Sequence, residues 1–268
     1  YSEHLILATP DNGAAIALYA ACKATLKVAD GQEITLHEQT NYPFEEKISF
    51  TVNTTEDVRF PFYLRIPSWC DQPELAINGK QKKIDPIPGK YIYIDRTWTD
   101  GDKVELNLPM KLSIRTWQVN KNSVSVNYGP LTLSLKINEE YIQKDSRSTA
   151  IYDSRWQEGA NATQWPSYEI FPKSLWNYAL VLDSKVPLKN FKVIRKEWPS
   201  DNFPFTVSNV PLEVKAIGKQ IPSWTLDKYG LCSELPETNA PKGDREEITL
   251  IPMGAARLRV SAFPNTYE

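Results

Sequence analysis

Apolar residues recur at every second position through most of this chain, the period of a half-buried β-strand whose successive side chains point to opposite faces. Phe60, Phe62, Leu64 and Ile66 alternate with Pro61, Tyr63, Arg65 and Pro67. Pro67-Ser68 breaks that strand, and Trp69 is large enough to cap the open end of an apolar layer. Leu75-Ala76-Ile77 resumes it and runs into Asn78-Gly79, a pair that tolerates the positive φ of a tight hairpin. Upstream, Ile16, Leu18, Ala20, Cys22, Ala24, Leu26 and Val28 fit one or two bent strands, and Glu33 to Glu38 runs back from an Asp30-Gly31 turn. Ile48, Phe50 and Val52 alternate again, as do Val104, Leu106 and Leu108. Ser2 to Ala8 is too short to assign and either ends a helix or begins a strand.

The second half repeats the logic less regularly. Strands are predicted at Ser123–Asn127, Leu131–Ile137, Tyr178–Leu182, Phe191–Ile194, Phe205–Val207 and Val210–Ile217. Ile248–Ile251 and Ala256–Val260 read as a closing pair around Met253-Gly254. Residues 139–173 are polar and read as a long surface loop, of a length that compact domains keep for function or for packing on a neighbour. Short strands separated by Gly, Pro, Asn and Asp turns predict an all-β chain with little helix. We expect two antiparallel, jelly-roll-like sandwiches in tandem, over residues 1–112 and 113–268.

Composition narrows the function classes. The 268 residues carry 31 basic and 33 acidic side chains, a net charge of −2, which gives no footprint for nucleic acid or an anionic membrane. No apolar run approaches the roughly 20 residues needed to cross a bilayer as a helix, and the opening Tyr1-Ser2-Glu3-His4 lacks a signal-peptide pattern. Three cysteines make no disulfide framework and leave the redox compartment open.

Candidate chemistry is sparse. Hydrolysis of a sugar bond ordinarily takes two carboxylates flanking it, and Glu45-Glu46, Asp100 with Asp102, and Glu246-Glu247 are the adjacent pairs. Each sits at a predicted turn, where acids serve local hydrogen bonding. Cys22 falls on the apolar side of its strand, while Cys70 and Cys232 have Asp71 and Glu234 close by, the wrong charge for a thiolate. His4 and His37 lie far apart, so no zinc site is expected within the chain. No catalytic residue emerges. Of the tryptophans near turns, Trp69 and Trp98 read as sandwich seals. Trp156 and Trp165, in polar surroundings on the long loop, are the candidate sugar-stacking residues.

Several ordered motifs resemble one family. Asn41-Tyr42-Pro43-Phe44, Leu64-Arg65-Ile66-Pro67-Ser68-Trp69-Cys70, Ile77-Asn78-Gly79-Lys80, Arg96-Thr97-Trp98-Thr99-Asp100-Gly101-Asp102, Leu108-Pro109-Met110 and Tyr128-Gly129-Pro130-Leu131 occur in sequence. Together they resemble the β-sandwich region of glycoside hydrolase family 127, the β-L-arabinofuranosidase-like proteins. The resemblance implies that catalysis belongs to an N-terminal (α/α)6 barrel holding a zinc-bound cysteine nucleophile and a glutamate acid/base. It implies that this barrel is the chain's partner, that residues 1–8 are its tail, and that plant-type glycans are the substrate. A periplasmic or extracellular location is compatible with such an enzyme. This chain has neither the Cys-Cys pair nor the Glu-x-Cys motif of that barrel, so no catalytic position carries over and the chain alone is expected to be inactive. A carbohydrate-binding module using the loop tryptophans, and a purely structural assembly domain, are the alternatives.

Overall fold

The computed structural model describes residues 2–145, 161, 163–237 and 239–268, and it is almost entirely β. The first strands are β1 (Ile6–Ala8), β2 (Ala14–Ile16), β3 (Cys22–Val28), β4 (Gln32–Thr40), β5 (Lys47–Asn53), β6 (Val58–Arg65), β7 (Glu74–Ile77), β8 (Lys80–Lys82), β9 (Tyr91–Trp98) and β10 (Asp102–Asn107). They are followed by β11 (Leu112–Trp117), β12 (Ser123–Tyr128), β13 (Leu131–Leu135), β14 (Glu139–Lys144) and β15 (Ser167–Pro172). The last are β16 (Tyr178–Leu182), β17 (Lys192–Arg195), β18 (Leu212–Gln220), β19 (Arg245–Pro252) and β20 (Asn265–Tyr267). The chain divides into two compact units, Tyr1–Lys111 with Tyr128–Leu131, and Leu112–Asn127 with Thr132–Glu268.

The first unit is a sandwich of a four-stranded sheet, ordered β1-β2-β6-β9, and a six-stranded sheet, ordered β3-β4-β5-β10-β7-β8. The alternation read from the sequence is the alternation of burial. Phe60, Phe62 and Leu64 on β6 are buried with Ile48, Phe50 and Val52 on β5, and the Phe50 and Phe62 rings meet edge to face at 5.5 Å. Trp98 is fully buried against Phe60 and Phe62, and its indole N–H donates to the Phe60 carbonyl at 3.0 Å. Burying such a ring contributes several kcal/mol, of the order of the ~3–5 lost on truncation. Asn78 and Gly79 take positive φ and close the β7–β8 hairpin with Ile77 opposite Lys80.

One pairing of this sandwich lies outside the antiparallel expectation. Ile6–Ala8, unassigned from sequence, is an edge strand paired antiparallel with β2. β2 in turn runs parallel to β6, with Ala15 opposite Tyr63. Gly13 makes that approach possible, because a Cβ there would lie 2.2 Å from the Pro61 carbonyl oxygen.

In the second unit one eight-stranded sheet carries the core. Its order is β11-β12-β13-β19-β18-β16-β20, with β17 also on β18. β18 shares one of its sides between two strands, its first half with β17 and its last residues with β16. Val124 and Phe263 exchange both backbone hydrogen bonds, at 2.8 and 2.9 Å. Val260 accepts from Leu135, Pro264 accepts from Leu180, and β20 lies parallel to β16. One continuous segment, Val260–Tyr267, therefore touches strands from opposite ends of the sheet order, so the sheet curls back on itself.

Several sequence expectations change here. The segment after β19 does not fold back on it: Met253–Ala255 is a 3-10 turn and the chain leaves for β12 and β16. Phe205–Val207 is a turn, not a strand. β11 and β20 lie outside the strands the sequence predicts, because β11 buries no residue and β20 is only three residues long. The segment 139–173 opens and closes with β14 and β15, which pair into a two-stranded ribbon with Tyr141 opposite Ile170. Neither face of that ribbon is buried, so hydrophobic periodicity had nothing to record.

Candidate functional site

The ribbon and the turn leading into it carry exposed aromatic residues, one of them a predicted site residue. Trp165 is 71% exposed and sits in the turn that leads into β15. Three residues further on, Tyr168 meets Tyr141 edge to face at 6.0 Å. The Tyr141 hydroxyl donates to Glu139 Oε2 at 2.6 Å, while Glu139 Oε1 accepts the backbone N–H groups of Arg257 and Leu258. Lys144 with Glu169, and Lys173 with Glu140, hold the opposite face together. The result is a pinned platform of flat rings with carboxylates beside them, an arrangement suited to stacking and hydrogen bonding a sugar ring. Trp156, the other predicted member, lies outside the described residues. Tyr141 and Tyr168 were not singled out from the sequence; alternation with charged residues was the available signal.

A second cluster joins a carboxyl and a thiol. Glu38 occupies the inward row of β4 after Ile34 and Leu36, and only 1% of its surface is exposed. Its Oε1 accepts the Ala20 N–H at 3.0 Å, and its Oε2 lies 3.8 Å from Cys22 Sγ, directly across the β3–β4 pair. Burial pushes the Glu38 carboxyl up to about 8, against the pull of the Ala20 and Cys22 hydrogen bonds. Burial, then the Glu38 charge, pushes the Cys22 thiol up to about 11. Both groups are thus protonated at neutral pH, and Cys22 is no thiolate nucleophile. The placement also corrects the reading of Cys22 as a plain core residue: it is half-buried and faces an acid. Cys70 is buried and Cys232 exposed.

The paired carboxylates serve the scaffold. Asp100 accepts from Asn53 and the Thr54 N–H, and Asp102 from Asn78 and the Thr99 N–H. Glu46 accepts the Met110 N–H at 3.1 Å, and Glu247 pairs with Lys215 at 3.1 Å. Among the described residues no three His, Cys, Asp or Glu side chains converge to hold a metal ion, so the zinc implied by the resemblance has no fitting donor set among them.

The outward face of the four-stranded sheet is the remaining surface of note. Leu7, Ala15, Tyr63 and Tyr93 form one register row across all four strands. The Tyr63 and Tyr93 rings lie 5.1 Å apart, and the Tyr63 hydroxyl donates to Asp11. Leu7, Tyr91 and Tyr93 are exposed on this face, which also carries the Arg59–Asp95 ion pair.

Comparison with known proteins places this architecture. Residues 13–110 match the family model described as the β-L-arabinofuranosidase, GH127 middle domain. Among solved structures, a GH127 β-L-arabinofuranosidase from Geobacillus stearothermophilus T6 is 20% identical with a TM-score of 0.62, covering 98% of this chain and 35% of its own. A protein described as a glycoside hydrolase is 18% identical with a TM-score of 0.59, and a GH127 β-arabinofuranosidase is 20% identical with a TM-score of 0.60. Each of these two is matched over 96% of this chain and 36% of its own length. At such identities the likeness shows the shared fold. The chain spans about a third of the length of these solved proteins. No curated protein sequence matches it.

Proposed function

We propose, from the premise that residues 13–110 are a middle domain of glycoside hydrolase family 127, that this chain is the non-catalytic β-sandwich portion of an enzyme acting on L-arabinofuranoside-type glycans. Its role is to brace an (α/α)6 barrel that supplies the bond-breaking groups. The family-model match is the observation that carries this reading. The span of about a third of each solved relative supports it, as does the outward row of Leu7, Tyr63 and Tyr93, a surface that a partner domain would cover. Zinc belongs, on this reading, to the barrel and plays no part in the chemistry of the residues described here. The Cys22–Glu38 pair, protonated on both sides at neutral pH, holds the link between β2 and β3 instead of attacking a sugar.

The test compares the 268-residue chain alone with the same chain joined to a GH127-type (α/α)6 barrel, both zinc-supplemented, on p-nitrophenyl β-L-arabinofuranoside. Turnover by the barrel-joined chain only is expected. Enzyme-like turnover by the 268-residue chain would overturn the reading.

A second reading rests on the ribbon. The exposed Trp165, three residues before Tyr168 in the chain, and the exposed Tyr141–Tyr168 pair favour a glycan-stacking platform. Calorimetry with arabino-oligosaccharides should then show binding that a Trp156→Ala, Trp165→Ala double variant loses. Equal heats for both proteins exclude it.

A further inference from the structure

The two sheets of the first unit are of unequal width, and the mismatch leaves a site. Among the described residues, β9 is an edge of the four-stranded sheet and pairs only with β6, while β8 is an edge of the six-stranded sheet and pairs only with β7. Between them lies an open cleft of about 620 Å³. Its floor is aliphatic, with Leu75, Ile77 and Ile92 buried and Ile84 and Ile94 packed on the core.

The register fixes which way the lysines face. Lys82 lies opposite Leu75 and Lys80 opposite Ile77, so both belong to the core-facing row of their sheet. They occupy that row where, among the described residues, no strand of the facing sheet pairs beyond β9. Lys80, Lys82 and Lys83 are exposed and form no ion pair among the described residues. Across the cleft the charges are already matched: Asp95 pairs with Arg59, and Arg96 with Asp102. The cleft therefore holds a positive wall, unpaired among the described residues, above an apolar floor, beside a strand edge whose outer N–H and C=O groups have no strand partner among those residues.

We propose that an extended acidic peptide segment occupies this cleft by adding a strand to β9. Side chains of an extended segment repeat on one face every ~6–7 Å. That is also the spacing of Lys80 and Lys82 along β8, so carboxylates at alternate positions meet the two ammonium groups. Main-chain hydrogen bonds to β9 supply affinity and the lysines supply the choice of charge. Lysines alone guard an edge against pairing; lysines over an aliphatic floor, aimed where the missing strand would run, select an acidic one. The inference does not depend on the identity of any catalytic partner.

The probe is a capped octapeptide of alternating threonine and glutamate, titrated into the 268-residue chain, with its threonine–lysine counterpart as control. The glutamate peptide should bind in a salt-sensitive way and slow amide exchange along β9. Lys80→Glu with Lys82→Glu should weaken it by roughly tenfold or more. A Lys80→Gln, Lys82→Gln variant, with the same melting transition as wild type, should weaken it less. Absence of binding at millimolar peptide, equal binding of the lysine peptide, or binding that leaves β9 amides unprotected each overturns the proposal. So does binding of polygalacturonate in preference to the peptide, which would make the cleft a site for an acidic glycan.

Discussion

Asn78 donates from Nδ2 to Asp102 Oδ1 across 2.6 Å, tying the tip of the β7–β8 hairpin to the start of β10. Asn78 Oδ1 accepts the Lys103 N–H at 2.8 Å, and Asp102 also accepts from Thr99 and pairs with Arg96. Asn78 thus holds a positive φ and bridges two turns at once. Asn78→Ala should cost about 1–3 kcal/mol, since it leaves a buried carboxylate short of a donor and places alanine in the left-handed region. Asn78→Gly relieves the second effect only. Urea unfolding of the three proteins checks the order wild type, Gly, Ala.

Asp102 also sets a pH limit. Burial opposes its ionisation, yet hydrogen bonds from Asn78 and Thr99 and the Arg96 charge outweigh it and hold the carboxyl below its usual value. A carboxyl lowered on folding stabilises the fold above its unfolded value of about 3.9, and that stability is lost as pH falls through the folded value. Asp102→Asn should therefore be most destabilising near neutral pH and lose its effect towards pH 2. Unfolding midpoints across that range test it.

Glu38 behaves in the opposite sense. Its folded value of about 8 lies above the unfolded one, so its favourable contribution is complete below about pH 4.5 and falls away as pH rises through 8. Glu38→Gln should become progressively more stable relative to wild type between pH 5 and 9. A difference that stays flat across that range would contradict the buried, protonated carboxyl.

Gly13 cannot accept a side chain without moving β2 from β6. With the Pro61 carbonyl oxygen 2.2 Å from the position of a Cβ, Gly13→Ala should destabilise by roughly 1–3 kcal/mol. Loss of amide protection at Ala15, in the parallel pair, should accompany it.

Cysteine reactivity should follow exposure and acidity. Iodoacetamide at pH 8 should label exposed Cys232 first, half-buried Cys22 slowly because its thiol is pushed up to about 11, and buried Cys70 only on unfolding. Mass mapping of the alkylated peptides reads the order directly.

The amino-acid order by itself determined β4, β5, β6 and β10 of the first unit and the hairpin turn at Asn78-Gly79. Each of these strands has one buried face, and burying one face imposes a two-residue period. The same order pointed to Trp98 as a core seal, because a ring of that size at a strand end finds an apolar layer to close. Only the tertiary structure decided the parallel pairs, the curling of the second sheet through Val260–Tyr267, and the ribbon of Tyr141 and Tyr168. Those depend on which distant backbones meet, and backbone partners leave no imprint on side-chain periodicity. Glu38 shows the same division. Its place in an inward row was legible, but burial and the Ala20 N–H, which set its proton affinity, exist only once β2, β3 and β4 have come together.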